Sequence, residues 1–241
     1  MEMILFSLMW VGQSCFVIEA DGKAIVMDPV PPKLGYSLPA VEADIVTISH
    51  NHFDHTYMEM VKGWPKVLRG LTEDGSDWHT IDYEKDDIRI QAFQTYHDAD
   101  KGAERGKNAM FLIEINDVRI LHTGDLGHML DDAMIEKIGR VDVLLICVGG
   151  FYTIDAKQAR SLVEKIGPRV VVPMHYKTDP EGELPIASND EFLKGWKNVR
   201  KLKDRTYPFT QSLSAFPEGE TTILVLTPKK AATDTEPVPG K

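Results

Sequence analysis

Short apolar runs separated by turn residues fill the first half of the chain. Two residue pairs, Asp21-Gly22 and Asn116-Asp117, mark tight turns between neighbouring runs. The strands that these runs predict cover residues 4–9, 15–18, 24–27, 43–48, 66–68, 88–92, 109–115 and 118–121. The pattern therefore predicts a strand-rich first half that begins with a hairpin or meander.

Helical and strand-like segments alternate in the second half. Residues 130–139 predict one helix, and 155–166 predict another with Asp155 as its N-cap and Gly167-Pro168 as its stop. The strands predicted around these helices cover residues 141–148, 170–174 and 221–226. This alternation favours α/β layers in which helices cover sheets.

The domain organisation follows from the same pattern. We expect one domain over residues 1–228. The last segment, 229–241, is polar and contains proline, which predicts a flexible tail.

Composition narrows the classes of partner. The chain has 241 residues, 43% of them hydrophobic, and a formal net charge of −10. No basic patch is visible, which argues against a general nucleic-acid or anionic-membrane binder and leaves a small-molecule substrate as the expectation. The apolar N-terminus has no Lys/Arg region and carries Glu2, and no later run is long enough to span a bilayer, so we expect a cytoplasmic protein. Homo-oligomerisation stays open.

A dense histidine cluster follows the strand predicted over residues 43–48. The stretch SHNHFDH places His50, His52, Asp54 and His55 within six residues, and a helix is predicted over 55–62. Imidazole and carboxylate are the usual ligands of zinc and related divalent metals. Side chains at i and i+2 can point the same way at a strand end, so His50 and His52 could share one ion while Asp54 and His55 reach a second. Four ligands within six residues exceed what one site usually takes from a single segment, so the spacing suggests two adjacent metals.

Three more polar residues follow predicted strands in the same manner. His97 comes after IRIQAFQTY, Asp125 after VRILHTG, and His175 after VVVPM. Strand ends aimed at one edge of a sheet could bring them to the histidine cluster. Taken alone, each of the three could equally be an ordinary loop residue or a buried polar group with a partner.

These motifs resemble the signature of the metallo-β-lactamase superfamily. More narrowly, the chain is similar to single-domain bacterial metallo-hydrolases related to the ascorbate-6-phosphate lactonase. The matching pieces are GQSCFVIEADGKAIVMDP, SHNHFDH, TYHDADKGAERGKN, HTGDLGH, VGGFYTIDA and VPMHYKT. They span about Val11 to Thr178, and they are far more specific for the fold and the metal site than for a substrate.

The resemblance implies an α/β fold, the four-layer αββα sandwich, with two metal ions at one edge. His50, His52 and His97 would hold the first ion. Asp54, His55 and His175 would hold the second, and Asp125 would bridge both. Zinc is the first expectation, with manganese or iron also compatible with these ligands. Members that degrade antibiotics carry cysteine or serine where Asp125 stands, which disfavours that role here.

The resemblance also implies a reaction. Two metals can share a water and bring its pKa towards about 7, and the hydroxide then attacks a carbonyl or phosphorus. Asp54 would ligate, orient the nucleophile and act as the catalytic carboxylate. We therefore expect a hydrolase of a small ester, lactone or phosphodiester. The alternatives are a di-iron oxidoreductase and a metal-binding regulatory protein with an idle site.

Further residues are weaker candidates for supporting roles. Metal-bound imidazoles need a partner on their other nitrogen, and Asp28 and His122 are the candidates, against simple strand-end capping. The candidate substrate contacts are Arg105, Asn108, His128 and Tyr176. Arg105 lies in a glycine-containing loop and could meet an anionic group, or it could be an ordinary solvated charge.

Overall fold

The chain folds into two mixed β-sheets packed face to face. The computed structural model describes residues 4–178, 184–210, 213 and 215–231. The first sheet contains β1 (Ile4–Gly12), β2 (Cys15–Ala20), β3 (Lys23–Met27), β5 (Ile45–Ile48), β7 (Lys66–Arg69) and β15 (Thr206–Thr210). Its strand order is β15-β1-β2-β3-β5-β7. A two-stranded ribbon joins β4 (Val41–Glu42) to β6 (Val61–Lys62).

The second sheet is larger and carries most of the strand-helix alternation. It contains β8 (Asp82–Lys85), β9 (Ile88–Tyr96), β10 (Lys107–Ile115), β11 (Val118–His122), β12 (Val143–Cys147), β13 (Val170–Met174), β14 (Val199–Lys201) and β16 (Thr222–Val225). Its strand order is β14-β16-β13-β12-β11-β10-β9-β8. Strands β11, β12 and β13 pair in parallel, and helices connect them.

The helices are short, and their ends follow the expected capping rules. They are α1 (Asp132–Ile138), α2 (Ala156–Ile166) and α3 (Asp190–Leu193). Asp155 caps α2 by accepting from the backbone N–H of Lys157 and Gln158, and Gly167 ends it at φ +64°, a left-handed conformation that glycine adopts without strain. The predicted α/β sandwich is confirmed. Within the described part of the chain, no helix combines the length and apolarity needed to cross a membrane.

The main core lies between the sheets, and alternation along each strand explains it. In β2, Phe16 and Ile18 face the second sheet, whereas Cys15 and Val17 face the opposite side. Both sets are buried, so β2 is an almost continuous apolar run.

The outer face of the first sheet has a thinner cover than we expected. The helix predicted over 55–62 is wrong: only Met58–Met60 forms a 3-10 turn, and Val61–Lys62 continues as β6. The backbone N–H of Tyr57 bonds to the carbonyl of Pro29, and β6 pairs with β4, so tertiary pairing overrides the helical pattern. Buried Met60 nevertheless closes the small core on this face.

The start of the predicted tail makes backbone hydrogen bonds to an earlier loop. Lys229 accepts from the N–H of Ser37, and Ala231 donates to the carbonyl of Gly35, so 229–231 pair with the loop after β3. Most of the predicted tail, 232–241, lies outside the described residues.

Candidate metal centre

Polar side chains gather at one edge of the sandwich, where strands of both sheets end. His50 lies just past β5 and His97 directly follows β9. Asp125 lies three residues past β11, and His175 directly follows β13. The three strands of the second sheet run in one direction, since β9 and β11 are each antiparallel to β10 and β13 is parallel to the β11–β12 pair. Their carboxyl ends therefore meet at a common edge.

Three histidines form the first group. The ligand nitrogens of His50, His52 and His97 lie within 4.8 Å of one another. The rings of His50 and His97 are 4.8 Å apart and buried, whereas His52 is exposed to the cavity above. Three imidazoles this close cannot all take the positively charged, doubly protonated form at low cost, but they can share a metal cation.

Asp125 lies at the centre of the cluster. Its Oδ2 lies 3.3 Å from Nε2 of His55 and 3.2 Å from Nε2 of both His97 and His175. Its Oδ1 accepts a 2.9 Å hydrogen bond from the Ser14 hydroxyl. One carboxylate oxygen thus faces imidazoles that come from three different strand ends.

Asp54 lies at the rim of the same cluster. Its Oδ2 is 3.7 Å from Nε2 of His55, and its side chain is 16% exposed, which gives it contact with the cavity. The side-chain amide of Gln13 donates to the same oxygen at 3.4 Å. Asp54 is therefore a carboxylate of the cluster that both approaches His55 and faces the cavity.

Hydrogen bonds fix the orientation of two of the buried imidazoles. The Ser49 hydroxyl donates to Asp28 Oδ2 at 2.6 Å, so it accepts from Nδ1–H of His50 at 2.9 Å. Nδ1–H of His55 donates to Asp28 Oδ2 at 2.8 Å. Because Nδ1 is engaged in both rings, Nε2 is the atom that each ring turns towards the centre of the cluster.

His97 is oriented in the same way by a backbone group. Its Nδ1–H donates to the carbonyl of Tyr152 at 3.1 Å, which leaves Nε2 as an acceptor facing Asp125. Nε2 of His50 is buried and has no hydrogen-bond partner among the described residues. Burying an acceptor without a partner costs free energy, and a cation bound at Nε2 of His50 would remove that cost.

The donor spacing fits a divalent metal. Two ligand atoms bound to one zinc ion at about 2.0–2.2 Å lie roughly 3–3.5 Å apart. The nitrogen-oxygen distances around Asp125 are 3.2–3.3 Å. The residues present therefore fit a metal centre in donor type and spacing.

Charge and burial act in opposite directions on the side chains of the cluster. Burial, helped by the neighbouring His55, lowers the pKa of His50 well below its usual value. Burial also disfavours the charged form of His55, but Asp125 and Asp54 outweigh it and raise its pKa. Burial alone would raise the pKa of Asp125, yet the charges of His175 and His55 hold it well below the usual range. Asp125 is thus ionised and ready to bind a cation.

A cavity of about 520 Å³ opens above the cluster. Its lining residues are Gln13, Leu34, Asn51, His52, Phe53, Asp54, His97, Arg105, Asp125, Tyr152, His175 and Leu184. This volume suits a small molecule. A second cavity, of about 640 Å³, lies at the opposite edge of the sandwich, where Lys23, Ile45 and Lys66 begin their strands. The described residues that line it include no histidine, so the 520 Å³ cavity above the cluster is the better candidate for a metal-dependent site.

The four candidate substrate contacts fall into different places. Arg105 lines the cavity. Asn108 is fully buried, where its Oδ1 accepts from the backbone N–H of Asp125 at 3.0 Å. His128 has both ring nitrogens bonded to backbone groups, and the ring of buried Tyr176 packs 5.2 Å from that of Trp10. Arg105 is therefore the one of the four that the structure brings to the cavity, while Asn108 holds Asp125 in place.

The two candidate partners of metal-bound imidazoles also differ. Asp28 contacts His55 directly. His122 instead donates from Nε2 to the carbonyl of Ser14 at 2.8 Å and accepts at Nδ1 from Gly124 N–H. Burial lowers the pKa of His122, in keeping with a neutral ring. His122 thus supports the turn that carries Ser14 and touches none of the clustered imidazoles.

Comparison with known proteins identifies the family. A family model described as a beta-lactamase superfamily domain matches residues 7–175. The chain belongs to the β-lactamase superfamily. A UPF0173 metal-dependent hydrolase from Anaeromyxobacter dehalogenans is 31% identical over 233 residues, which cover 80% of this chain and 83% of the relative. A UPF0173 protein from Pyrococcus furiosus is 30% identical over 81% of this chain and 96% of its own.

A solved structure supports the same assignment. A candidate Zn-dependent hydrolase of the metallo-β-lactamase superfamily from Thermotoga maritima is 33% identical, with a TM-score of 0.73. The match covers 92% of this chain and 98% of that one. The predicted metallo-β-lactamase fold is therefore confirmed, and the chain is a metal-dependent hydrolase of this superfamily.

Several residues that shape this superfamily site were not predicted from the sequence. Gln13 and Ser14 come from the β1–β2 turn, and Ser49 links Asp28 to His50. Tyr152 contributes only its backbone carbonyl to His97, which no sequence motif reveals. One signal could have revealed Gln13 and Ser14. They follow β1, which ends at the same edge of its sheet as β3, where Asp28 follows.

Asp28→Asn is expected to weaken metal binding by about tenfold to a hundredfold, the usual effect of losing such a supporting carboxylate. Asp28 is buried and accepts from Ser49 N–H, the Ser49 hydroxyl and His55, and an amide nitrogen cannot accept any of these bonds. Competition with a chromophoric chelator measures the affinity. Asp21→Asn is the matched control, because Asp21 is exposed and shares the positive φ of Asp28, +49° against +47°. Equal affinities for the two variants would contradict the assignment.

Proposed function

We propose that the chain is a two-metal hydrolase that acts on a small ester, lactone or phosphodiester. The observation that carries the proposal is the position of Asp125 Oδ2, within 3.3 Å of imidazole nitrogens from three strand ends. A carboxylate so placed can bridge two cations, whereas one cation would leave part of the donor set without a partner.

The donors divide naturally into two groups around Asp125. His50, His52 and His97 gather their nitrogens within 4.8 Å and would hold one ion. Asp54, His55 and His175 would hold the other, since His55 contacts Asp54 at 3.7 Å and His175 approaches Asp125 at 3.2 Å. Zinc is our first choice, because imidazole-rich sites suit it, although manganese and iron accept the same ligands.

The chemistry divides between the metals and the chain. When bound, two such ions supply an activated water and polarise the oxygen of the group under attack. Asp54 holds a carboxylate at the cavity wall, where it can orient the attacking water and take up its proton. Gln13 donates to Asp54 Oδ2 and so fixes the rotamer of that carboxylate. Ser14 and Asn108 hold Asp125 through its Oδ1 and its backbone N–H.

Turnover by stripped and reconstituted protein tests this proposal. Chelated protein should hydrolyse none of a panel of esters, lactones, phosphodiesters and thioesters, and zinc or manganese should restore activity on an ester, lactone or phosphodiester. His52→Ala should lose that activity, because it removes a donor from the first group. His79→Ala is the matched control, since the exposed His79 side chain bonds only to the carbonyl of Arg69 among the described residues. No turnover by any metallated form, or equal turnover by wild type and His52→Ala, would refute the hydrolase.

A further inference from the structure

A single buried carboxylate organises the loop that follows β9. Asp98 is 4% exposed, and its two oxygens accept four backbone hydrogen bonds of 2.8–3.0 Å. The donors are the N–H groups of Asp100, Gly102, Glu104 and Arg105. Charge-assisted bonds of this kind are stronger than neutral ones, so the loop is held in one conformation. Its last bond fixes the backbone of Arg105.

Fixing that backbone places a cation at the wall of the cavity. The Arg105 guanidinium lies 5.8 Å from the centre of the Tyr152 ring, and its side chain is 29% exposed. The carbonyl of Tyr152 is the group that orients His97. Among the described residues that line the cavity, Arg105 alone is an arginine or lysine. Tyr152 therefore contacts both Arg105, through its ring, and the proposed metal ligand His97, through its carbonyl.

The guanidinium already has one partner, but that partner is weak. Arg105 Nη1 pairs with Glu104 Oε2 at 2.8 Å, and the Glu104 side chain is 67% exposed. Exposed ion pairs of this kind contribute little to stability, because water competes with them. A guanidinium has five N–H donors in a planar fork, so it can also bind a carboxylate or phosphate that arrives in the cavity.

The remaining wall includes apolar side chains. Leu34, Phe53 and Leu184 line the cavity, and Phe53 is 56% exposed. The ammonium of Lys33 lies 3.5 Å from the centre of the Phe53 ring, so this ring is held at the rim. A cavity that offers both an arginine and an apolar wall suits an amphipathic molecule rather than a sugar-like polar one.

We infer that Arg105 is the specificity-determining residue of the site, and that the substrate is a small anionic ester or lactone. Its carboxylate or phosphate would bind the Arg105 guanidinium, while an apolar segment lies against Leu34 and Phe53. Asp98 is a positioning residue that acts through Arg105. The inference rests on the proposed hydrolase function, whose ions would add further positive charge to the same cavity.

Matched ester substrates test the inference. We would compare a 4-nitrophenyl ester that ends in a free carboxylate with its methyl-capped neutral form and with a phosphate-ended form of the same length. The zinc-loaded wild type should prefer the anionic esters by about tenfold to a hundredfold in kcat/KM, as a charge-assisted hydrogen bond predicts. Whichever of the carboxylate-ended and phosphate-ended esters has the higher kcat/KM identifies the anion that the site prefers.

Variants locate the preference within the chain. Arg105→Gln should bring the anionic-to-neutral ratio close to one, and Arg105→Lys should give an intermediate ratio because it loses the fork. Asp98→Asn should lower the same ratio, whereas a general loss of folded or metallated protein would lower both rates and leave the ratio alone. Arg89→Gln is the matched control, since Arg89 also pairs with a carboxylate but lies at the beginning of β9. Its ratio should equal that of wild type.

The outcomes separate the inference from the hydrolase proposal. Metal-dependent hydrolysis with no preference for anions, or a preference that survives in Arg105→Gln, would overturn the inference and leave the hydrolase standing. If no ester is turned over, calorimetric binding decides instead. The probes are a dicarboxylic acid monoamide, which keeps one free carboxylate, and the neutral diamide of the same acid. The monoamide should bind zinc-loaded wild type at least tenfold more tightly than the diamide. Equal binding of the monoamide by wild type and Arg105→Gln would overturn the inference.

Discussion

Asp125→Asn is expected to lower metal-dependent hydrolysis by roughly 10³-fold or more, since two-metal sites supply several kcal/mol of transition-state stabilisation. The Oδ2 of Asp125 faces His55, His97 and His175 at 3.2–3.3 Å. An amide keeps the size of the side chain but removes the anion that would bridge two ions. Steady-state kinetics on the substrate found in the panel measure the loss of hydrolysis, and metal content per chain measures the loss of bound ions.

Two further variants show whether the loss belongs to the bridging oxygen. Ser14→Ala removes only the hydrogen bond to Oδ1, so it should cost about tenfold at most. Asp131→Asn changes the N-cap of α1, away from the cavity, and should retain full activity. A fully active Asp125→Asn with two ions per chain would show that Asp125 is not the bridge.

Gly127→Ala is expected to destabilise the fold by about 3 kcal/mol, the upper part of the usual range for overpacking, and to weaken metal binding with it. A Cβ on Gly127 would lie 2.2 Å from the carbonyl carbon of His97 and from the backbone nitrogen of Asp98. These are backbone atoms, so no flexible side chain can move away. The segment that carries His97 would have to shift instead. Denaturant unfolding gives the free energy, and chelator competition gives the metal affinity.

Gly167→Ala separates steric overlap from backbone strain. Gly167 has a φ of +64° and open space around the position of a Cβ, so alanine there should cost only about 1 kcal/mol of left-handed strain. It lies at the end of α2, so metal affinity should stay unchanged. A Gly127→Ala protein no less stable than Gly167→Ala would mean that His97 is not held by close packing against Gly127.

Continuous apolar runs made most of the fold predictable. Strands such as β12 and β13 are buried on both faces, so their sequences carry a strong signal. The missed elements lie at sheet edges or are very short. β14 and β15 are edge strands with exposed residues, and β15 contains Pro208, which weakens any strand pattern. α3 has only four residues.

The clustered imidazoles and carboxylates gave a clearer sequence signal than the groups that hold them in place. His50, His52, Asp54 and His55 are close in sequence. The other candidates each follow an apolar strand, which alone is a weak signal, and the family resemblance singled them out. Asn108 gave a misleading signal, because its place in the segment 100–108 suggested a substrate contact, whereas the start of β10 buries it in the interior. Asp98 gave no signal, since it acts on backbone N–H groups that any sequence supplies.

Activity measured during a metal titration tests the two-metal claim most directly. Stripped protein would receive zinc in small steps, with bound metal per chain and turnover recorded at each step. The arrangement around Asp125 predicts that turnover follows the second equivalent and reaches its plateau at two ions per chain. Full turnover at one bound ion, or saturation of the chain at one ion, would contradict it.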